Sequence, residues 1–354
     1  MSAPLSCLVI GASYGALIAA RILQAGHRVT LVGHAAECDA ITREGLTIDM
    51  PFRHLGLRHP FRLGPDTHDL QLATPPQARV AGHDLCFLVV QEPQAAAPAI
   101  AALIARIAEA RLPVVALMNL APLACLERIA AFSGVDFGGI HAAAGTWHLL
   151  RPLPLSAASP DAQAVRPDPA RPNALRVTLA SNIKCAPLGD PQAQAALDRL
   201  AADIAATRAT VAGQEVPVPV RLIAGDSPFL PLVKLPMLMA GNYRSITKTG
   251  AIPIAEAVWR DPAASRAIYD ETCAILRATG TPPGLLVPFD RYAEAARALT
   301  LPAAVARALA AGALQVERAD LLPRALARGN LSPQAAAVIA GVERWLEANR
   351  KAGA

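Results

Sequence analysis

Leu8-Val9-Ile10-Gly11-Ala12-Ser13-Tyr14-Gly15-Ala16-Leu17-Ile18-Ala19-Ala20 is the stretch whose reading decides the fold. A short apolar run ends in glycine, and an alanine-rich segment of helical periodicity follows at once. That is the strand–turn–helix opening of a dinucleotide-binding βαβ unit. Gly11 lets the chain leave the strand through a tight turn. A helix starting near Tyr14 then aims unpaired N–H groups and its positive dipole end at a pyrophosphate. The usual G-x-G-x-x-G reads here as Gly11-x-Ser13-x-x-Ala16. Ala16 still permits close helix–strand packing, and Gly15 relieves crowding around Ser13, whose side chain stands where cofactor backbone normally comes close. Gly11, Ser13, Tyr14, Gly15 and Ala16 are therefore the first candidate cofactor contacts.

Working outward, Gly26 to Gly33 reads as the second parallel strand. At its end an acidic residue would hold a ribose 2′-hydroxyl and an arginine would meet a 2′-phosphate. The chain offers His34 there, with Glu37 and Arg43 beyond; His34 is a candidate adenosine contact. Residues 45–63 alternate around Gly45, Gly56 and two prolines, as a hairpin or irregular crossover would. His83 to Val90 is a buried strand, followed by Gln91 and an Ala/Ile-rich helix over about 95–110. Pro113 to Met118 is the next strand, closed by Asn119, with helical pattern from Leu120 to Phe132. Strands alternating with helices predict an α/β fold with a doubly wound parallel sheet of Rossmann type.

The stretch 151–173, rich in Pro, Ala, Ser and Asp, reads as a surface insertion. A strand (about 174–181), a helix (about 191–207) and Val-rich residues 211–224 follow. Beyond about residue 226 strand patterns stop, and helices near 229–247, 252–258, 262–279, 286–297, 302–314 and 332–350 are expected. The boundary is placed near Gly225: a dinucleotide-binding domain over 1–225 and an all-helical substrate and dimerisation domain over 226–354.

The 354 residues are 53% hydrophobic and 17% charged, enough for two sizeable cores. The net charge of +5 is spread without a basic block, which speaks against nucleic-acid binding and fits an anionic cofactor or acid substrate. Six scattered cysteines, without a C-x-x-C or a pairing pattern, suit a reducing cytoplasm. No cationic residue precedes the first apolar run, so it does not read as a signal peptide, and no stretch reads as a membrane span. The eight histidines lack ligand spacing, so no metal site is expected.

Three polar residues sit in apolar surroundings: Lys234 within Phe229-Leu230-Pro231-Leu232-Val233-Lys234-Leu235-Pro236, Asn242 eight residues on, and Asn119 at a strand's carboxyl end. Open α/β sheets place their ligands at such ends. In a continuous helix Lys234 and Asn242 share roughly one face.

With these residues in view, the chain resembles the ketopantoate reductase family, two-domain enzymes that reduce a 2-oxo acid with NADPH. The nucleotide-binding turn, Asn119, the Lys234…Asn242-Tyr243-Arg244-Ser245-Ile246 segment, Gln315-Val316-Glu317-Arg318-Ala319-Asp320 and Asn330-Leu331-Ser332-Pro333 carry the resemblance, in order, along nearly the whole chain. It implies Lys234 as general acid, Glu317 as its acidic partner, and Asn119 and Asn242 as hydrogen-bonding groups for substrate or lysine. It also implies NADP(H) ahead of NAD(H), Gln91 and Asn119 as further cofactor contacts, a small-molecule carbonyl substrate, a cytoplasmic location and a homodimer. The departures are informative. Leu238 stands where the family has an asparagine, Ala304 and Val305 where it has a serine, and His34 and Gln91 where it has cations. Two lost polar groups point to a substrate more apolar or bulkier than ketopantoate. An opine-type imine-reducing dehydrogenase and a catalytically silent nucleotide-binding relative are the competing readings.

Overall fold

The computed structural model describes residues 3–160 and 164–353. Strand β1 (Ser6–Ile10) leads through the glycine turn into helix α1 (Gly15–Gln24), strand β2 (Arg28–Val32) and helix α2 (Ala35–Glu44). A hairpin of β3 (Leu46–Phe52) and β4 (Leu57–Leu63) follows, then β5 (Leu70–Ala73), β6 (Leu85–Leu88), α3 (Pro98–Glu109), β7 (Val114–Leu117), two short helices α4 (Leu123–Leu126) and α5 (Ala144–Leu149), and β8 (Leu155–Ala158). Six strands form one sheet in the order β5-β2-β1-β6-β7-β8, and every pair is parallel. This is the doubly wound order of a Rossmann sheet.

The period-2 geometry of β1 explains the two cores. Leu8 and Ile10 point to one face, with Leu103, Ile104 and Ile107 of α3. Cys7 and Val9 point to the other, with Leu17 and Ile18 of α1. Because both faces are covered, the strand reads as a continuous apolar run.

The remaining strands are β9 (Ala164–Val165), β10 (Ala174–Val177), β11 (Ile183–Cys185), β12 (Arg208–Val211), β13 (Gln214–Pro217) and β14 (Leu222–Ala224), with α6 (Pro191–Ala206) between β11 and β12. A second sheet runs β4-β3-β10-β9, so residues 45–63 are the hairpin and not the crossover. The stretch 151–173 differs from its expected surface position. Its residues 155–158 are the fully buried β8 on the rim of the main sheet, paired with β7; residues 161–163 lie outside the described residues. Sequence reading also passed over α2 and β5. The helix expected over 120–132 shrinks to α4 and a 3₁₀ turn at Ala130–Phe132.

After β14 the described chain is helical apart from one isolated bridge between Ile246 and Ala251. The elements are α7 (Leu235–Met237), α8 (Ile254–Trp259), α9 (Pro262–Ala278), α10 (Phe289–Ala296), α11 (Ala304–Ala310), α12 (Leu321–Leu326) and α13 (Pro333–Gly353). The single helix expected over 229–247 is broken into a 3₁₀ turn (Leu230–Leu232), α7 and a π turn (Leu238–Asn242). Pro231 and Pro236 bring no N–H to an α ladder, which shortens each piece. Leu232, Leu235 and Leu238 share one hydrophobic core with Leu8, Ile10 and Leu88, so the helical part packs directly on the sheet. No helix among the described residues is long and apolar enough to cross a membrane.

Candidate active site

The first turn is shaped by backbone crowding. Gly11 sits at φ +108°, where a Cβ would stand 2.2 Å from the Val89 carbonyl oxygen. Its N–H donates to the Val32 carbonyl at 2.8 Å, tying the turn to the end of β2. A Cβ on Gly15 would lie 3.1 Å from Val9 Cγ1, so Gly15 is the residue that lets α1 lie close on β1, a task the motif reading gave to Ala16. Helix α1 has no side-chain cap: Tyr14 occupies that position without such a hydrogen bond, and Ser13 is exposed beside it. An uncapped helix N-terminus behind a turn opened by Gly11 fits the pyrophosphate of a dinucleotide, which Gly11 to Ala16 would hold. His34 lies exposed at the end of β2 as the N-cap residue of α2.

Asn119 follows β7 at its carboxyl end, as a ligand-facing residue of such a sheet should. Across from it the π turn aims Leu238 and Asn242 at the sheet. The Tyr243 N–H reaches back five residues to the Leu238 carbonyl at 2.9 Å, so one residue more than an α turn is accommodated. Gly241 makes room for this. A Cβ there would meet the Tyr292 hydroxyl at 2.0 Å, and that hydroxyl donates to the Met237 carbonyl at 3.1 Å.

These groups surround a cavity of about 30 Å³, roughly the room of one water molecule. Asn119, Asn242 and Glu317 line it together with Gln91 and Tyr243; Leu238, Ala304 and Val305 form its apolar wall. Of the expected catalytic residues, three meet here. Lys234 is not among the lining residues. It is partly buried, lies one turn before Leu238, whose N–H donates to the Lys234 carbonyl at 2.9 Å, and its ammonium nitrogen is shielded from solvent. A larger cavity, about 510 Å³, opens between residues 134–140 and α12 and contains none of these groups.

Glu317 is the electrostatic centre. It is buried, and its carboxylate accepts from the Leu120 N–H at 2.9 Å and from Asn119 Nδ2 at 3.1 Å. Burial pushes its carboxyl above the ordinary range; the donors at Leu120 and Asn119 work against this, and the nearby Glu92 works with it. The Tyr243 hydroxyl donates to the Glu317 carbonyl at 2.7 Å, and burial raises that phenol well above its usual range. Ser159, just past β8, donates to Asn119 Oδ1 at 3.3 Å and so orients the amide. Sequence reading missed Ser159, Tyr243 and Glu92. Glu92 accepts from the N–H groups of Ala142 and Ala143 at 3.1 and 2.8 Å and from Trp147 Nε1 at 3.0 Å, anchoring the segment that carries Gln91. An acidic residue directly after a buried strand was the one available signal.

Sheet order, uncapped first helix and a polar cluster at a strand's carboxyl end define a Rossmann-fold protein of the dinucleotide-binding architecture with a helical C-terminal part. Residues 7–121 match the family model described as ketopantoate reductase PanE/ApbA. No curated protein matches the chain in sequence. Among solved structures it is similar to a PanE/ApbA family ketopantoate reductase from Ralstonia eutropha, at 20% identity and TM-score 0.66 over 98% of this chain and 100% of that one. It is similar to a D-mandelate dehydrogenase in ternary complex with NADH and anilino(oxo)acetate, at 12% identity and TM-score 0.64, covering 98% and 100%. A dimeric ketopantoate reductase from Staphylococcus aureus gives 11% identity and TM-score 0.60, covering 98% and 100%. At these identities the likeness is one of fold.

Proposed function

We propose that the chain is an NAD(P)H-dependent reductase of a 2-oxo acid or related carbonyl, with Lys234 as general acid and NADP(H) ahead of NAD(H). The observation that carries the reading is the meeting of Asn119, Asn242 and Glu317 in one cavity at the carboxyl end of β7. When bound, a reduced nicotinamide supplies the hydride for the carbonyl carbon. The chain's own residues do the rest. Asn119 and Asn242 donate hydrogen bonds that fix the substrate; Lys234 stabilises the developing alkoxide and protonates it; Glu317 orients the ammonium or the product hydroxyl. The shielded position of the Lys234 ammonium supports this role, since a proton donor works best where water is excluded.

The wall of Leu238, Ala304 and Val305 supports a substrate with an apolar side chain, because a hydroxyl facing it would lose on the order of 1–3 kcal/mol of hydrogen bonding. The anilino(oxo)acetate bound to the D-mandelate dehydrogenase likewise carries an aromatic ring. The dimeric relative supports a homodimer, and the unpaired cysteines among the described residues support a cytoplasmic location. The test is a fluorescence titration with NADPH and NADH, then a screen of 2-oxo acids with Lys234→Ala as control. Binding of either nucleotide, and turnover that falls at least about a hundredfold in the variant, is expected. No binding of either nucleotide at millimolar concentration overturns the reading.

A further inference from the structure

We propose that Arg166, delivered by the second sheet and held by Glu37, reads the adenosine 2′-phosphate and sets the preference for NADP(H); the inference rests on the reductase reading above. The end of β2 carries no arginine, yet the fold brings one there. Strand β3 follows α2, β10 pairs with β3, and β9 pairs with β10. Arg166, the residue after β9, thereby reaches the first turn of α2 and ion-pairs with Glu37.

Glu37 marks the spot. Its Oε2 accepts the His34 N–H at 2.7 Å and lies 2.7 Å from the place a Gly33 Cβ would take, while that place is 2.6 Å from Ala12 Cβ. The carboxylate thus sits where the glycine turn meets the end of β2, the region that receives the adenosine ribose in such sheets. In an NAD-selective site a carboxylate would face outward to the ribose diol. Here Oε2 is committed to the backbone and Oε1 to Arg166. The Glu37 side chain is 9% exposed and that of Arg166 29%, so of the two the arginine is the more open to a ligand at this corner.

The guanidinium also has capacity to spare. Its contact to Glu37 runs through Nη2, and its buried Nε has no hydrogen-bond partner among the described residues. A buried N–H without an acceptor is unfavourable, and a phosphate oxygen is the acceptor its fork geometry suits. Glu37 alone would repel a phosphate; paired with Arg166 it becomes the group that aims the cation. The amino end of α2 adds a favourable dipole on the same side.

The experiment titrates the full chain, wild type and Arg166→Ala, with NADPH and with NADH by nicotinamide fluorescence, and repeats it with 2′-AMP and 5′-AMP as competitors. Loss of a charge-assisted phosphate contact should weaken NADPH binding about 10- to 100-fold and leave NADH within about threefold. 2′-AMP should compete better than 5′-AMP only in the wild type. Arg166→Lys, which keeps the charge and loses the fork, should fall between; it also serves if the alanine variant melts early. Equal losses for both nucleotides or an unchanged NADPH affinity in Arg166→Ala overturns the inference while the reductase reading stands; a wild type that prefers NADH overturns the inference and the NADP(H) preference but not the reductase activity. A wild type that binds neither nucleotide overturns both.

Discussion

Replacing Glu317 by glutamine should stabilise the protein at neutral pH while impairing it as a catalyst. The carboxyl is buried and held above its ordinary value of 4.5, chiefly by loss of solvent. The folded state therefore keeps its proton over a pH range in which the unfolded chain has already released it. Wherever the folded state binds more protons, stability falls as pH rises. Below the ordinary value both states are protonated and no penalty exists. Above the raised value the penalty is complete and constant. Between them the wild type loses up to about 1.4 kcal/mol per pH unit through this one group, and the glutamine variant loses none of it.

The net effect at neutral pH weighs two terms. Glutamine keeps an acceptor for the Leu120 N–H but gives up the charge-assisted character of that bond and of the one from Asn119, together about 1.5–3 kcal/mol. It also removes the cost of a buried charge, several kcal/mol, next to a second buried carboxylate, Glu92. The variant should gain about 1–2 kcal/mol, or about 1–3 °C in melting temperature. Thermal melts of both proteins in matched buffers from about pH 4.5 to about pH 8 give the difference curve. It should start near zero and rise with pH, while turnover in the variant drops about tenfold or more. A flat curve, or a wild type that gains on the variant as pH rises, refutes the reasoning, because the two N–H donors would then outweigh burial.

Leu238→Asn combined with Val305→Ser adds two polar groups to the apolar wall, and should shift kcat/KM toward hydroxylated 2-oxo acids by about tenfold relative to apolar ones, read from paired substrate kinetics. Gly11→Ala forces a Cβ against the Val89 carbonyl at a backbone angle of φ +108°; a loss of roughly 3 kcal/mol or more in a denaturant melt, with no measurable nucleotide binding, is expected. The native protein should react slowly with thiol reagents at neutral pH, since burial raises Cys125 and Cys185 to about 12 and Cys273 to about 11, and pushes Cys7, Cys38 and Cys86 up as well. Fast labelling of any of these before unfolding would contradict the packing.

What the sequence discloses and what it hides divide along physical lines. Strand β1, its glycine turn and Asn119 were legible because a strand buried on both faces must be apolar at every position, and because a ligand-facing residue closes the next such run. Strand β8 was not. Its four residues include Ser156 and three small or common apolar residues between Pro154 and Pro160, and its burial comes from β7, about 40 positions earlier. The π turn was equally hidden. The spacing of Lys234 and Asn242 suits one helix face, but two prolines and the Tyr292 hydroxyl over Gly241 decide the geometry. Arg166 and Glu37 meet through a sheet whose pairing no local pattern announces.

The size of the cavity bears on how the chemistry is shielded. Ligand sites ordinarily enclose about 300–1,000 Å³, and the cavity lined by Asn119, Asn242 and Glu317 holds about 30 Å³. One wall belongs to the sheet and the other to the helical part, so the proposed substrate would need those walls to part. The hydrogen bonds that cross the gap are those from Leu120 and Asn119 to Glu317. Parting the walls therefore exposes the carboxylate to water and returns its acidity toward the ordinary value, while closing them dries it and raises its proton affinity. The residue best placed to sense closure is thus the one the proposed chemistry needs beside the substrate oxygen. The same burial that makes Glu317 costly to the fold at neutral pH ties its proton affinity to how tightly the two walls close.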